Sequence, residues 1–508
     1  MMNLKKGFLA ACCVLAIGFL HAQNTKPGLY HEPFRPQVHF SPPEKWMNDP
    51  NGMVYNKGVY HLFYQFYPDA TVWGPMHWGH AESKDLIHWQ QKPIALYPDS
   101  LGYIFSGSAV LDVHNTSGFG KNGQAPLIAI FTHHDPKGEK AGKADFQNES
   151  IAYSLDDGKT WTKYSGNPVL KNPGIKDFRD PKVMWFEASK KWIMTLATKD
   201  RVTFFSSLNL KDWKKESEFG AQLGAHGGVW ECPDLFPLSL NGKIYWVLLV
   251  SINPGGPNQG SATQYFVGNF NGNSFIPKNT ATKWIDYGPD NYAGVTWSNT
   301  GKRKIFLGWM SNWLYATQVP TVKWRSAMTI PRELSLQEVN GDILLASKPA
   351  KEFDALRLSP KVVKNAQVDG SLNLTNKFGQ LPKQFELKLS IKEVKDFSIN
   401  LSNTVGEQLI IGFDKARNSY YIDRRKAGES SFNKDFAAIH YAPKLSASKS
   451  IDLTLVVDAA SVELFADNGL SVMTSIFFPK KPITNLQLQA NGSLFTDLEM
   501  IPLKSIWK

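Results

Sequence analysis

The chain has 508 residues, of which 42% are hydrophobic and 20% charged, so it is long enough to bury more than one hydrophobic core. Its formal net charge is +11, but Lys and Arg are scattered and form no block long enough to follow a phosphate backbone. The composition therefore predicts a folded, two-domain protein with a basic surface and argues against nucleic-acid binding.

Residues 1–22 have the features of a secretion signal. Lys5 and Lys6 precede an apolar run over residues 7–20, which is too short to span a bilayer comfortably. The small residue Ala22 then marks a cleavage point, so we expect a secreted or periplasmic protein. Cys12 resembles part of a lipoprotein box, but it stands near the start of the apolar run, which favours release over lipid anchoring. No later segment is apolar enough to predict a membrane span.

Cysteine usage predicts a fold that is held by its hydrophobic cores. The chain has three cysteines, and Cys12 and Cys13 would leave with the signal peptide. Since only Cys232 remains, the mature chain cannot form an internal disulfide.

Short strand-like runs rich in Val, Ile, Phe, Trp and Tyr follow, separated by Gly, Asn, Asp and Pro, without a long stretch of helical periodicity. A Ser/Asp/Trp turn repeats among them and ends at Trp89, Trp161 and Trp213. Distinctive segments follow these tryptophans after 18, 19 and 18 residues, and they centre on Gly107, Asp180 and Glu231. The pattern predicts an all-β fold that is built from repeated units.

Five such units can be counted. A weaker copy of the turn at residues 271–275 precedes the segment 292–297 by a similar interval, and the segment around Asp49 supplies the remaining unit. Units of roughly 50 to 70 residues that keep phase are typical of β-propeller blades. We therefore predict a five-bladed β-propeller over residues 30–346, whose phased segments are inner strands that converge on the central axis.

The pattern changes after this region. Residues 347–357 carry Pro349 and several charges and are interpreted as a linker. Clean alternation of apolar and polar residues follows, for example over residues 385–391, and predicts a C-terminal β-sandwich over residues 358–508. Asn468-Gly469, between two apolar runs, predicts a hairpin with a tight two-residue turn.

Three carboxylates stand in unusual segments. Retaining hydrolysis of a glycosidic bond needs one carboxylate that attacks the anomeric carbon and one carboxyl group that assists the leaving oxygen. Asp49 lies in Trp46-Met47-Asn48-Asp49-Pro50-Asn51-Gly52, Asp180 in Arg179-Asp180-Pro181, and Glu231 in Trp230-Glu231-Cys232-Pro233-Asp234. Each also has a structural interpretation, as a turn residue for Asp49 and as an ion-pair partner for Asp180 and Glu231. Neither structural interpretation explains all three segments together.

These segments, in this order, resemble glycoside hydrolase family 32, the invertases, levanases and inulinases. The resemblance extends over nearly the whole mature chain and includes residues 73–80, 105–109 and 462–465. It implies a five-bladed propeller followed by a β-sandwich. It also implies that Asp49 is the nucleophile, Glu231 the acid/base and Asp180 the transition-state stabiliser of a retaining β-fructosidase that needs no cofactor and no metal.

The same resemblance implies a fructose pocket. The residues implied to line it are Trp46, Asn48, Gln65, Trp73, Phe105, Ser106, Arg179 and Trp313. Aromatic faces suit the C–H faces of sugars, while amides and the guanidinium suit hydroxyls. The chain departs from many relatives at Tyr67-Pro68-Asp69, where they carry Asn-Pro after the preceding Gln-Phe pair, so the resemblance does not define the detail of the outer pocket.

Cys232 is interpreted as a packed thiol beside the acid/base. His133-His134-Asp135 is interpreted as a surface loop, since no further ligand stands at metal-site spacing.

The expected substrates are β-fructosides such as levan, inulin, fructo-oligosaccharides and sucrose. The sequence contains no pattern that indicates a particular protein partner. A narrow pocket walled by Trp46, Trp73, Trp78 and Trp313 would accept only a chain end, which predicts exo cleavage. A fructosyltransferase or an endo-fructanase on the same scaffold remains an alternative, and so does a non-catalytic fructan-binding protein. The preference for β-2,6 or β-2,1 linkages depends on loops outside the first sugar site.

Overall fold

In the computed structural model, which describes residues 29–507, five separate sheets follow one another along the chain. The expected signal peptide and its cleavage point near Ala22 lie outside the described residues. Sheet 1 contains β1 (Lys45–Asn56), β2 (Val59–Tyr67), β3 (His77–Ser83) and β4 (Trp89–Leu96). Sheet 2 contains β5 (Tyr103–Leu111), β6 (Leu127–His134), β7 (Gln147–Ser154) and β8 (Thr162–Lys163). Sheet 3 contains β9 (Phe178–Phe186), β10 (Lys191–Thr198), β11 (Arg201–Ser207) and β12 (Lys214–Phe219).

The two remaining sheets of this region have five strands each. Sheet 4 contains β13 (Val229–Leu240), β14 (Lys243–Asn253), β15 (Ala262–Phe270), β16 (Phe275–Pro277) and β17 (Lys283–Trp284). Sheet 5 contains β18 (Tyr292–Thr296), β19 (Ile305–Met310), β21 (Ala327–Met328), β22 (Arg332–Val339) and β23 (Asp342–Pro349). The short strand β20 (Trp324–Arg325) returns to sheet 1 and pairs with β1 in parallel. Strand β23, the last of the propeller, ends at Pro349 and so extends three residues into the segment 347–357 that was interpreted as a linker.

The first strands of the five sheets form a closed ring. Strand β1 contacts β5, β5 contacts β9, β9 contacts β13, β13 contacts β18, and β18 contacts β1. The five sheets are therefore the blades of a propeller, and the prediction of a five-bladed β-propeller followed by a β-sandwich is confirmed.

The repeated Ser/Asp/Trp turn connects the third and fourth strands of the first three blades. In blade 1 the Asp85 carboxylate accepts hydrogen bonds from the backbone N–H groups of Ile87 and His88 at 3.0 and 2.8 Å. Asp156 and Asn209 cap the equivalent turns of blades 2 and 3 in the same way. The repeat is therefore a local turn chemistry that fixes where each outer strand begins.

A 3-10 helix over Lys351–Leu356 leads into the second domain. The strands of this domain are β24 (Lys361–Asn373), β25 (Phe385–Ile391), β26 (Phe397–Ser402), β27 (Gln408–Asp414), β28 (Ser419–Lys426), β29 (Ile439–Pro443), β30 (Ile451–Val457), β31 (Ser461–Ala466), β32 (Ser471–Ile476) and β33 (Asn485–Pro502). The first half of β33 pairs with β26 and its second half with β25, so this long strand joins both halves of the sandwich. Apolar residues at alternate positions fill the space between them, as one-sided burial requires.

The hairpin between β31 and β32 differs from the prediction. Its loop has four residues, because Ala466 pairs with Ser471, and it includes a 3-10 turn over Asp467–Gly469. Asp467, Asn468 and Gly469 all have positive φ, at 53°, 61° and 88°. The prediction of a two-residue turn at Asn468-Gly469 is therefore wrong.

Helices are short in this protein. The α-helices of the described residues are α1 (Pro136–Lys140) and α2 (Leu374–Phe378), and further 3-10 turns occur at Glu187–Ser189 and in the loop between β31 and β32. Between residues 29 and 507, no helix has the length and apolar character that crossing a membrane requires.

Candidate active site

A β-bulge interrupts each of the five inner strands at the same place. The bulged pairs are Asn48-Asp49, Phe105-Ser106, Asp180-Pro181, Cys232-Pro233 and Ala293-Gly294. Each pair stands opposite a single residue of the second strand of its blade, which bends the inner strand and turns side chains out of the sheet register. The constant phase of the sequence repeat is thus a repeat of bulges at the propeller axis.

The bulges bring residues distant in sequence to one point. A small cavity there is lined by residues of all five inner strands, including Pro50, Ser106, Asp180, Cys232 and Val295. The first residues of three bulged pairs, Asp180, Cys232 and Ala293, have φ of 66°, 45° and 52°. Left-handed backbone at non-glycine residues is sparsely populated and concentrates at functional sites.

Asp49 is held by its two neighbours on the axis. The Ser106 hydroxyl donates to Asp49 Oδ2 at 2.6 Å, and the Asn48 amide donates to Oδ1 at 3.0 Å. The Trp46 indole N–H fixes that amide by donating to Asn48 Oδ1 at 2.7 Å. Burial raises the pKa of Asp49, the two hydrogen bonds oppose the rise, and the Glu231 carboxylate adds to it. The carboxylate therefore has a fixed orientation, and opposing effects set its pKa.

Asp180 faces Asp49 across a thiol. The backbone N–H of Cys232 donates to Asp180 Oδ2 at 2.9 Å, while the Cys232 Sγ lies 3.6 Å from the same oxygen and 3.5 Å from Asp49 Oδ2. Burial raises the pKa of Asp180, Arg179 opposes the rise, and the carboxylates of Glu231 and Asp49 add to it.

Burial and the surrounding carboxylates also raise the pKa of the Cys232 thiol well above its ordinary value. A thiol with a raised pKa stays protonated and is a poor nucleophile. The surroundings of Cys232 thus agree with its interpretation as a packed thiol.

Glu231 precedes the fourth bulge and is held from two sides. The Arg179 guanidinium donates to Glu231 Oε1 through Nη2 at 3.0 Å and Nε at 3.2 Å. The hydroxyl of Tyr292 donates to Glu231 Oε2. Tyr292 is 1% exposed and was not among the predicted site residues, although its segment was recognised as in phase with the others. That phase is the sequence signal that could have identified it.

The predicted pocket residues divide into two groups. Trp73 is 41% exposed, and Phe105 and Trp313 are half-buried, so their rings can reach a sugar. Trp73 and Phe105 meet edge to face with their ring centroids 6.0 Å apart. Asn48, Ser106 and Arg179 lie beside the carboxylates, as described above.

Three other side chains that were predicted to face the sugar are buried in the structure. Trp46 and Trp78 are 0% exposed, and Gln65 is 2% exposed. Trp46 packs between other tryptophans, and the Trp78 indole donates to the Phe105 carbonyl at 2.9 Å. The Gln65 amide donates to Asn51 at 2.7 Å and to the Ile104 carbonyl at 3.1 Å. In this structure Trp46 and Trp78 pack behind the site, while contact of Gln65 with a sugar stays a prediction, since its burial is close to that of Asn48 and Ser106.

The interpretation of His133 and His134 as a surface loop is wrong. Both side chains are buried at the end of β6, because both faces of this second strand of blade 2 are packed and all its residues are buried. His133 Nδ1 lies 2.7 Å from the Ser150 hydroxyl and His134 Nε2 lies 3.2 Å from Glu139. Asp135 caps α1 by accepting from the Lys137 backbone N–H at 3.0 Å. Each of the three thus has a structural role.

One group of side chains in residues 29–507 is close enough to share a metal ion. His61 Nδ1, His80 Nε2 and Glu82 Oε1 lie 3.2 to 3.9 Å apart on β2 and β3 of blade 1. The Lys92 ammonium binds the same carboxylate at 2.8 Å, so Glu82 already has a cationic partner. The two histidines hydrogen-bond each other, which explains the group without an ion.

Comparison with known proteins identifies the family. The model of the glycosyl hydrolases family 32 N-terminal domain matches residues 39–349, and that of the family 32 C-terminal domain matches residues 352–504. The levanase of Bacillus subtilis is 46% identical over 94% of this chain and 72% of its own length. The extracellular exo-inulinase inuE of Aspergillus niger is 40% identical over 96% of both chains.

Solved structures agree with these sequence matches. The exo-inulinase of Aspergillus awamori has a TM-score of 0.86 at 37% identity, covering 94% of this chain and 100% of its own. The β-fructofuranosidase of Schwanniomyces occidentalis, solved with fructosyl-erythritol, has a TM-score of 0.85 at 33% identity, covering 94% of this chain and 99% of its own. The resemblance predicted from the sequence is confirmed: the chain belongs to glycoside hydrolase family 32.

Proposed function

We propose that this glycoside hydrolase releases fructose from β-fructosides by retaining double displacement. The observation that supports it best is the convergence of Asp49, Asp180 and Glu231 from three inner strands around Cys232. The relatives named levanase and exo-inulinase support fructans as the substrate class, with levan, inulin, fructo-oligosaccharides and sucrose as the compounds to test.

In the first step Asp49 attacks C2 of the terminal fructosyl unit, and Glu231 gives a proton to the departing oxygen. The C2–O bond to the leaving group breaks as the bond to Asp49 forms. The hydrogen bonds from Ser106 and Asn48 keep the attacking carboxylate in one orientation, so little freedom is lost when the substrate reacts. The Arg179 and Tyr292 donors hold Glu231 in the same way.

In the second step Glu231 takes a proton from water, whose oxygen attacks C2 and releases Asp49. Asp180 reacts in neither step. Its carboxylate, fixed by the Cys232 N–H, accepts hydrogen bonds from fructose hydroxyls and strengthens them as the ring becomes positively charged. Stabilisation that appears only in the transition state raises kcat.

The experiment follows the anomer that is released first. NMR at early times should show β-fructose before mutarotation, because two displacements at C2 restore the original configuration. An initial α product would contradict the mechanism. At high sucrose, transfer products in place of free fructose would favour a fructosyltransferase.

Variants test the roles of the carboxylates. Asp49→Ala and Glu231→Ala should each lose on the order of a thousandfold or more in kcat while keeping the wild-type unfolding midpoint. Asp212→Ala is the matched control, since Asp212 lies in an exposed turn of blade 3 and should keep full activity. Either site variant retaining more than a few per cent of wild-type kcat on every fructan would refute its role.

Exo cleavage is the proposed mode. Exposed Trp73 meets Phe105, the chain neighbour of Ser106, and half-buried Trp313 packs on Trp46. Relatives from Aspergillus niger and Aspergillus awamori are named exo-inulinases. A time course on levan and inulin should show fructose as the first product. Abundant short oligosaccharides before fructose would establish endo cleavage while leaving the carboxylate roles intact.

Export from the cell is also proposed. The basic pair, apolar run and Ala22 have the order of a cleavable signal, and the relative from Aspergillus niger is named extracellular. Sequencing the N-terminus of the protein recovered outside the cytoplasm should begin close after Ala22. A protein that retains residues 1–22, or that carries lipid at Cys12, would contradict this prediction.

A further inference from the structure

A second concave surface lies on the outer face of the β-sandwich, in a different domain from the three carboxylates. It is a groove of about 680 Å³ across strands β33, β26, β27, β28 and β29, which we call the outer groove. Its floor is a row of direct cross-strand partners, Gln489, Ser398, Gly412, Tyr421 and Tyr441. With neighbouring strands about 4.8 Å apart, this row is about 19 Å long and runs at right angles to the strands.

Gly412 makes room for a flat aromatic ring at the centre of the row. A Cβ at this glycine would lie 2.7 Å from both Cζ and Oη of Tyr421, so the tyrosine ring lies across the neighbouring strand. One strand further, the Ser398 hydroxyl donates to Gln489 Oε1 at 3.4 Å, which joins the next two members of the row. A ring that is held flat on a sheet presents one face outward.

Further groups in the outer groove supply both apolar and polar contacts. Tyr441 continues the aromatic surface, with its ring centroid 6.3 Å from that of Tyr421. Gln489 and Asn491 are exposed at the other end and offer amide donors and acceptors. Aromatic faces combined with amides and hydroxyls suit the C–H faces and hydroxyls of a sugar chain.

The charges of the outer groove disfavour an anionic ligand. Asp396, Asp414 and Asp423 line it. The arginines beside it are already paired, Arg425 with Asp423 at 2.7 Å and Arg417, which lies over the Tyr441 ring, with Asp414 at 3.4 Å. An extended peptide fits poorly as well, because a chain lying across paired strands finds no free backbone hydrogen-bonding groups. A neutral polyhydroxylated chain is the class of ligand that remains.

We infer that the outer groove is a second carbohydrate-binding site, which holds a stretch of fructan chain. The choice of fructan rests on the proposed function, since the polymer that the active site trims is the carbohydrate that the protein meets. A second attachment point raises the effective concentration of chain ends near the active site. It therefore lowers KM for long fructans and leaves short oligosaccharides unaffected.

The test separates groove binding from catalysis. The full chain carrying Asp49→Ala is run in native gels that contain levan or inulin, with saturating free fructose to occupy the active site. The polymer should retard this protein. Adding Tyr421→Ser should abolish the retardation, whereas Tyr421→Phe, which keeps the ring, should preserve it. Phe495→Ser is the matched control, because Phe495 is an exposed aromatic residue of the same domain that does not line the groove.

In the active protein, Tyr421→Ser should raise KM for long inulin or levan about tenfold, with kcat and all constants for a trisaccharide unchanged. Retardation that is equal with and without Tyr421→Ser, or absent in the Asp49→Ala protein, would overturn the inference. A wild-type protein that hydrolyses no fructan would instead refute the proposed function. Failure of the groove inference can therefore be distinguished from failure of the proposed function.

Discussion

Arg332, the first residue of β22 in the propeller, donates through Nε to the Glu463 carboxylate of the sandwich strand β31 at 3.0 Å. Both side chains are 0% exposed. Arg332 also donates to Asp286 at 2.9 Å, and the Ile330 backbone N–H donates to Glu463 at 2.8 Å. The charges are thus fully paired at the joint between the two domains, as burial of charged groups requires.

Removing the Glu463 carboxylate should destabilise the whole chain. Glu463→Ala leaves Arg332 and His39 buried without their shared partner, so we expect a loss of about 3–5 kcal/mol in the free energy of unfolding by denaturant. Glu218→Ala, which breaks an exposed ion pair with Lys215, should cost less than about 1 kcal/mol. Equal effects of the two substitutions would show that the buried joint contributes nothing particular.

His39 makes the same joint sensitive to alkaline pH. Its ring nitrogens lie 2.8 Å from Asp458 and 2.9 Å from Glu463, and these carboxylates outweigh burial and raise the pKa of His39 to about 9 from 6.5. Its stabilising contribution is therefore complete below pH 6.5 and is lost as pH rises through about 9.

Urea unfolding at several pH values should show this loss in the wild type and a smaller loss in His39→Gln. Identical pH dependence of the two proteins would contradict the assignment.

Much of the fold could be predicted because short sequence segments form their own hydrogen bonds. The Ser/Asp/Trp turns cap themselves, so they mark each blade without reference to the rest of the molecule. The loop at Asp467–Gly469 could not be predicted so well, since a Gly after Asn is compatible with several loop lengths. The packing around Asp467, whose carboxylate accepts from the Tyr420 hydroxyl at 2.8 Å, selects the longer loop.

The catalytic carboxylates could be predicted for a different reason, and the prediction of the surrounding residues was less accurate. The three carboxylates stood in segments that kept phase, and the bulges explain that phase. Sequence patterns do not reveal whether an aromatic ring faces a pocket or the core, so Trp46 was predicted to contact the sugar although it is buried. Tyr292 was missed because a tyrosine in a short strand also fits a core position.

Tyr292→Phe should therefore slow the chemical step. Its hydroxyl donates to the Glu231 carboxylate, and without that donor Glu231 is held only by Arg179. We expect kcat to fall about 10- to 100-fold with a small change in KM, because the substituted residue positions Glu231 and lies behind it. Tyr420→Phe removes another buried hydroxyl donor, far along the chain in the sandwich, and should leave kcat unchanged. A Tyr292→Phe enzyme with wild-type kcat would show that the hydroxyl is dispensable.

Ser106→Ala should change the pH dependence of the reaction. The Ser106 hydroxyl donates to Asp49 Oδ2 at 2.6 Å and so lowers the pKa of a carboxylate that burial raises. Without this bond the pKa of Asp49 rises further, and since only the ionised carboxylate attacks C2, activity is lost at a higher pH on the acidic side. The acidic limb of kcat/KM should thus move to higher pH in Ser106→Ala, while a profile in which every rate is reduced equally would mean that Ser106 only orients the carboxylate.

Ser108→Ala is the matched control, because the Ser108 hydroxyl lies two residues further along β5 and donates to the Pro181 carbonyl at 2.9 Å instead. An acidic limb that moves to lower pH in Ser106→Ala would reverse the sign of the proposed effect and exclude Ser106 as the donor that keeps Asp49 ionised.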